Sequence, residues 1–180
     1  MWLFHKTTVL SRSGLLKGMV DCHSHLLPGV DDGVQSMEES LQILREMEQQ
    51  GIRRVWLTPH IMEDIPNETL ALQRKFRELL QQYRGAVELK LAAEYMLDNL
   101  FEERLEKEDL LLLEEGKRFL LVETSYFNPP MDLLSVLQRI QKKGYYPLLA
   151  HPERYEYMQK EDYNTCLLYT SDAADDRISV

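Results

Sequence analysis

Short apolar runs alternate with amphipathic helical stretches along most of this 180-residue chain, and that alternation constrains the fold more than any other feature. Such a pattern predicts repeated βα units, and hence an α/β fold with parallel strands, rather than a bundle or a sandwich. The first run, Met19 to Asp21, leads into Cys22-His23-Ser24-His25. Ser36 with Glu39 forms a capping box, Leu41, Leu44 and Met47 recur at helical spacing, and Gly51 stands where a C-cap belongs, so a helix is predicted between them. Val55 to Leu57 predicts a second strand ending at Thr58-Pro59-His60, and Leu72, Phe76, Leu79 and Tyr83 share one face of a second helix. Glu88 to Ala93 reads as a third strand ending at Glu94, Phe119 to Val122 as a fourth ending at Glu123, and Tyr146 to Ala150 as a fifth ending at His151. Between the last two, Leu133, Val136, Leu137 and Ile140 make a helical face closed by Gly144.

Each predicted strand thus stops on a histidine or a carboxylate. In parallel βα architectures the C-terminal strand ends share one face, where ligands collect, so the sequence directs metal-type side chains into a common pocket. His23 and His25 lie two residues apart, which puts both rings on one side of an extended chain and within reach of one cation. The loop Leu27-Pro-Gly-Val-Asp-Asp-Gly33 holds two adjacent carboxylates, which read either as ligands or as turn and capping residues. Pro59 stiffens the strand exit before His60. Glu94 and Glu123 follow apolar runs; they are either surface residues just past a strand or buried carboxylates that need a cation partner. In His151-Pro-Glu-Arg-Tyr155, Arg154 offers a planar fork for phosphate oxygens, the alternative being a solvated pair with Glu153.

Imidazoles and carboxylates without thiolates suit Mn, Zn or Fe, and several carboxylates in one cleft favour a multinuclear site. Adjacent cations of this kind lower the pKa of a shared water and clamp a phosphoryl group, which makes metal-assisted phosphoester hydrolysis the reaction class this array serves.

Composition narrows the partners. With 44% hydrophobic and 28% charged residues the chain suits one globular domain, and a net charge of -9 disfavours nucleic acid. No apolar run reaches the roughly 18–20 residues that span a bilayer, and the start shows no signal-peptide pattern, so no membrane insertion and a cytoplasmic location are expected. Cys22 and Cys166 are too few for a disulfide framework and sit in no zinc spacing. Residues 1–18 show neither helix nor strand period and read as a non-native or disordered leader before a native start at Met19. At the other end, Cys166 to Asp176 resembles a translated sequencing-library adapter, so residues 166–180 read as a non-native tail and residues 19–165 as the domain.

The motifs Met19-Val-Asp-Cys-His-Ser-His-Leu-Leu-Pro-Gly-Val-Asp-Asp-Gly33, Thr58-Pro-His60, Ala92-Ala-Glu94, the Glu123 strand and Ala150-His-Pro-Glu-Arg-Tyr155 together resemble the PHP metal-dependent phosphatases, in particular the bacterial tyrosine-protein phosphatases of capsule and exopolysaccharide synthesis. The resemblance covers about Met19 to Tyr163. It implies a distorted (β/α)7 barrel, present here in part, that hydrolyses phosphotyrosine on proteins, notably on tyrosine autokinases, with Mn2+ and up to three ions; some relatives assemble into homo-oligomers. Carried over by position, His23 and His25 bind a first metal with bridging Glu94, Asp32 and His60 a second, and Glu123 and His151 with Glu94 a third. Arg154 grips the phosphate, Asp31 takes no metal, a metal-activated water is the nucleophile, and Cys22 packs as a small apolar residue. The family's late Asp-x-His motif has no counterpart here, which implies missing C-terminal βα units, an open barrel edge, and a chain that as written is weakly active or inactive. Two alternatives remain: a small-molecule phosphatase of the histidinol-phosphate type, against which the Tyr126 to Pro130 segment speaks, and a metal-binding fragment without catalysis.

Overall fold

A computed structural model describes residues 14–159 apart from residues 115 and 129. The expected tail, 166–180, and residues 1–13 of the expected leader lie outside the described residues. Residues 14–18 form a turn whose Gly18 N–H donates to the Gly51 carbonyl at 2.7 Å, so the last part of the expected leader already contacts the end of the first helix.

In chain order the elements are β1 (Val20–Ser24), α1 (Met37–Gln49), β2 (Arg54–Leu57), β3 (His60–Ile61), α2 (Thr69–Gln82), β4 (Glu88–Leu91), β5 (Glu94–Met96), α3 (Asn99–Lys107), β6 (Leu113–Glu114), β7 (Arg118–Glu123), α4 (Leu133–Lys142) and β8 (Tyr146–Leu149). Two short 3-10 helices, Pro152–Arg154 and Glu156–Gln159, follow. The expected α/β architecture is present, with parallel pairing of β1 to β2, β2 to β4, β3 to β5, β5 to β7 and β7 to β8. One addition to the parallel pattern is β6, which runs antiparallel to β7 across a turn where Gly116 takes a positive φ.

Two predicted strands are each broken in two. β2 stops at Leu57 and resumes as β3 at His60; β4 stops at Leu91 and resumes as β5 at Glu94. His60 and Glu94 therefore open second strand pieces instead of closing first ones. The breaks stay in step: Ala92 N–H donates to the Leu57 carbonyl at 2.9 Å and Glu94 N–H to the Pro59 carbonyl at 3.1 Å, so neighbouring strands bend together and the sheet turns as a unit. Pro59 has no N–H for a continuous ladder, which supplies a local cause for the first break.

The helices form where the apolar spacing put them. Ser36 Oγ accepts from Glu39 N–H at 3.1 Å, while the Glu39 carboxylate accepts from Gln35 N–H, one residue before the capping-box position. On α4, Leu133, Val136, Leu137 and Ile140 are all buried. Sequence spacing left α3 unread, although Asp98 caps it by accepting from Phe101 N–H and Phe101, Arg104 and Leu105 face inward at i, i+3, i+4. The core joins Leu44, Leu57, Ile61, Leu72, Leu79 and Leu105, each fully buried, to the undersides of the strands. Each such side chain contributes about 1.5–3 kcal/mol of burial, enough to hold the strand breaks in place. Pro147 lies in β8, whose sole strand partner among the described residues is β7; that is a position a proline tolerates. No described helix is long and apolar enough to cross a membrane.

Candidate metal centre

Glu94, at the start of β5, is fully buried and stands at the centre of four imidazoles. Its Oε1 lies 3.3 Å from His23 Nε2 and 2.9 Å from His151 Nε2; its Oε2 lies 3.3 Å from His25 Nε2 and 3.2 Å from His60 Nδ1. Glu123, at the end of β7, approaches His60 Nδ1 at 3.0 Å and His151 Nε2 at 3.5 Å. Asp32, largely exposed, reaches His60 Nε2 at 3.5 Å from the loop after β1. Three groups have ligand atoms within 4.8 Å of one another: His23, His25 and Glu94; His25, Asp32 and His60; and His60, Glu94 and Glu123. Six of the seven residues expected as ligands fall in these groups, with His25, His60 and Glu94 each in two, and His151 joins them through its contacts with Glu94 and Glu123.

The backbone aims these side chains. β1 is irregular between Asp21 and Ser24, where Cys22 and His23 together oppose the single residue Trp56 of β2, and the His23 and His25 rings sit 5.0 Å apart. Gly29 takes a positive φ in the following loop, and at Gly33 a Cβ would come within 2.3 Å of the His25 carbonyl, so this loop can fold back over His25 with glycine alone at that position. His151 itself adopts the left-handed region, at φ 33, an unfavourable conformation for a side chain with a Cβ and one that recurs at functional sites.

Two of the rings are fixed from behind. His23 Nδ1 is 2.6 Å from Thr58 Oγ1, and His25 Nδ1 is 2.8 Å from Asp31 Oδ2, so each ring turns its Nε2 toward Glu94. Asp31 also accepts from the N–H groups of Gly33 and His60, both at 3.0 Å. Its carboxylate thus spans the two histidine-bearing segments, a role that sequence reading left unassigned; the adjacency of Asp31 to Asp32 in a glycine-bracketed loop was the available signal. Thr58, inside the Thr-Pro-His motif, was also overlooked as an orienting group.

Electrostatics follow this geometry. Burial opposes charge on His25, but hydrogen bonds with Asp31 and Glu94 outweigh it and push its pKa from 6.5 up to about 10. His60 is likewise raised, burial being outweighed by Glu123 and Glu94. Burial would lift the carboxyls, yet His23 and His25 hold Glu94 well below the usual carboxylate range, and His25 with the Gly33 and His60 amides lowers Asp31. Positive charge is what this pocket demands.

A set of buried polar atoms makes the demand specific to a metal. His60 Nδ1, Glu94 Oε2, Glu123 Oε1 and His151 Nδ1 are buried without a hydrogen-bond partner of acceptable geometry. Two of these, Glu94 Oε2 and Glu123 Oε1, lie 3.2 and 3.0 Å from a third, His60 Nδ1, so the three donors converge on a shared region. Nitrogen and oxygen donors converging in this way fit divalent cations such as Mn, Zn or Fe.

The other expected residues fall at the rim. Arg154 is exposed and hydrogen-bonds with the Tyr126 side chain, which together with the nearby Glu153 raises its pKa. The Tyr126 ring in turn lies 5.6 Å from the His151 ring. Cys22 does not pack as a small apolar residue: it is exposed, within the irregular stretch of β1.

Known proteins resemble this chain in sequence and in fold. The sequence profile of the family described as capsular polysaccharide synthesis, CpsB/CapC, matches residues 19–170. The chain is 30% identical over 155 residues to the tyrosine-protein phosphatase YwqE of Bacillus subtilis, covering 84% of this chain and 59% of that protein. It is 33% identical over 150 residues to the tyrosine-protein phosphatase CpsB of Streptococcus pneumoniae, covering 80% and 60%. The fold superposes with a TM-score of 0.73 and 27% identity on a structure from work on YwqE and CpsB, described there as unique metal-dependent tyrosine phosphatases, covering 84% of this chain and 62% of that one. The chain thus spans about three fifths of the length of these relatives.

Proposed function

The chain belongs to the CpsB/CapC family of capsular polysaccharide synthesis, and we propose on that premise that it acts as a metal-dependent tyrosine-protein phosphatase on phosphotyrosine in proteins. The observation that carries the proposal is the convergence of His23, His25, His60 and His151 on buried Glu94 and Glu123, where His60 Nδ1, Glu94 Oε2 and Glu123 Oε1 lack a hydrogen-bond partner. His23 and His25 with Glu94 would hold one ion, Asp32 and His60 a second, and Glu123 and His151 with Glu94 a third. Bound there, divalent cations supply Lewis-acid activation of a water nucleophile and neutralise phosphoryl charge.

The remaining work falls to the chain's own groups. Thr58 and Asp31 fix the ring orientations of His23 and His25, so that both present Nε2 inward. Arg154, hydrogen-bonded to Tyr126, whose ring lies beside His151, would take two phosphate oxygens. Burial of Glu94 and Glu123 keeps bulk water from competing with these contacts.

Manganese as the metal, a partial (β/α)7 PHP barrel, a tyrosine autokinase as the phosphorylated partner, homo-oligomerisation and a cytoplasmic place of action belong to the same proposal, supported by the motif resemblance. The test joins this chain to a family-like C-terminal segment and measures metal content together with turnover, in added Mn2+, of a phosphotyrosine peptide and of histidinol phosphate. Metal uptake with preference for the peptide is expected. A preference for histidinol phosphate would move the chain to the small-molecule branch, and metal uptake without turnover of either would leave a binding module and sink the assigned reaction.

A further inference from the structure

Outside the ligand set, one polar side chain ties two ligand-bearing segments together. Asn67, in the connection between β3 and α2, donates from its single amide nitrogen to the Val30 carbonyl and to the His60 carbonyl, both at 2.9 Å. Val30 precedes the two aspartates of the loop after β1, and His60 opens β3. Because both contacts are carbonyl oxygens, the amide can be placed in one orientation alone: turning it over would set its own oxygen against two acceptors. With His60 N–H donating to Asp31, the His60 backbone is held at both its N–H and its C=O, each time by or together with the same loop.

Asn67 is itself anchored from the far side. Arg104, on α3 and 4% exposed, donates from Nη2 to the Asn67 carbonyl at 2.9 Å and from Nη1 to Thr69 Oγ1 at 3.1 Å, while Asp109 and Glu68 neutralise its charge. Glu68, at the N-cap of α2, makes no side-chain cap bond, so Arg104 and the Asn67 strap do the work of fixing this helix entry. A continuous set of contacts therefore runs from a buried cation in α3 to the backbone of His60. The span it sets is the one between Asp32 and His60, whose side chains face each other at 3.5 Å.

Resting on the metal-centre reading above, we propose that Asn67 is a positioning residue for the cation held by Asp32 and His60. It fixes the distance between the loop carrying Asp32 and the strand carrying His60, a task that needs two N–H donors on one short side chain. Asparagine supplies both; aspartate has the same shape and neither.

Isothermal titration of the metal-free protein with Mn2+ tests this in the wild type, Asn67→Ala, Asn67→Asp and, as a control at the start of α3, Asn99→Ala, whose exposed amide donates to Glu63. Thermal unfolding of the same metal-free samples accompanies each titration. Asn67→Ala is expected to weaken Mn2+ binding roughly 10–100-fold, the range for groups that orient metal ligands. Asn67→Asp should be at least as damaging, and Asn99→Ala should match the wild type. Should Asn67→Ala fail to fold, the isosteric Asn67→Asp decides the matter. A lowered unfolding temperature with wild-type Mn2+ affinity in the folded Asn67 variants would overturn the proposal by reducing Asn67 to a structural strap. Absence of Mn2+ uptake by the wild type would remove the metal-centre reading and this inference with it.

Discussion

The two sides of the metal centre are built differently. His23 and His25 are ring-oriented by the protein, each Nδ1 engaged by a side chain, Thr58 or Asp31. His60 and His151 carry buried Nδ1 atoms without a hydrogen-bond partner, and their placement comes from the backbone: His60 through the Asp31 and Asn67 contacts, His151 through its left-handed φ. One side is therefore preorganised at the level of the side chain, the other at the level of the main chain, with His60 Nδ1 left for a cation to satisfy. The difference teaches where binding energy comes from. Preorganised rings give up little rotamer freedom on binding, whereas orphaned lone pairs are a standing desolvation cost, roughly 1–3 kcal/mol each, that a bound ion relieves.

The sharpest break of this comparison is Glu94→Gln, which removes the anion common to both sides while keeping its shape. Mn2+ uptake in calorimetry should be abolished. Retained uptake would mean that the carboxylate is not the centre of the site.

A graded pair comes next. Asp31→Asn touches both sides, through the His25 ring and the His60 amide, and should reduce Mn2+ affinity roughly 100-fold; Thr58→Val touches His23 alone and should cost roughly 10-fold. Equal effects in titrations of the two variants would erase the distinction between the sides.

pH gives a smaller and reversible lever. The folded pKa of His25, about 10, exceeds its ordinary 6.5, so the stability it confers on the metal-free protein is fully present below about pH 6.5 and is lost as pH rises through about 10. Asp31 and Glu94 are lowered, so their contribution is present above the ordinary carboxylate range and fades as pH falls through their folded values. Unfolding midpoints of the metal-free protein should therefore drop in both directions, and Mn2+ binding at neutral pH should release protons, measurable by calorimetry in buffers of different ionisation enthalpy. A midpoint flat from pH 7 to 10 would contradict the charged state assigned to His25. The smallest expected effect is Cys22→Ser: on an exposed position, stability should change by less than about 0.5 kcal/mol and Mn2+ binding not at all.

Much of this was legible in the residues. Period and punctuation placed the first, second and last helices, and the coincidence of five strand ends with His23/His25, His60, Glu94, Glu123 and His151 marked the pocket, because strand direction and side-chain alternation are local properties that a sequence writes directly. What the sequence could not write were relations across the fold. The breaks at Thr58-Pro59 and Ala92-Ala93 depend on neighbouring strands bending in step, and Cys22 is exposed within a stretch of β1 whose irregularity shows only in its pairing with β2. Asp31 and Asn67 look like ordinary turn residues until His25, His60 and Val30 are brought to within 3.0 Å of them. The sequence by itself determined the chemistry of the donors and the topology that gathers them. Only the tertiary structure decided which nitrogen of each ring faces inward and which neighbours hold it there, since a hydrogen bond between residues dozens of positions apart is fixed by packing and not by spacing.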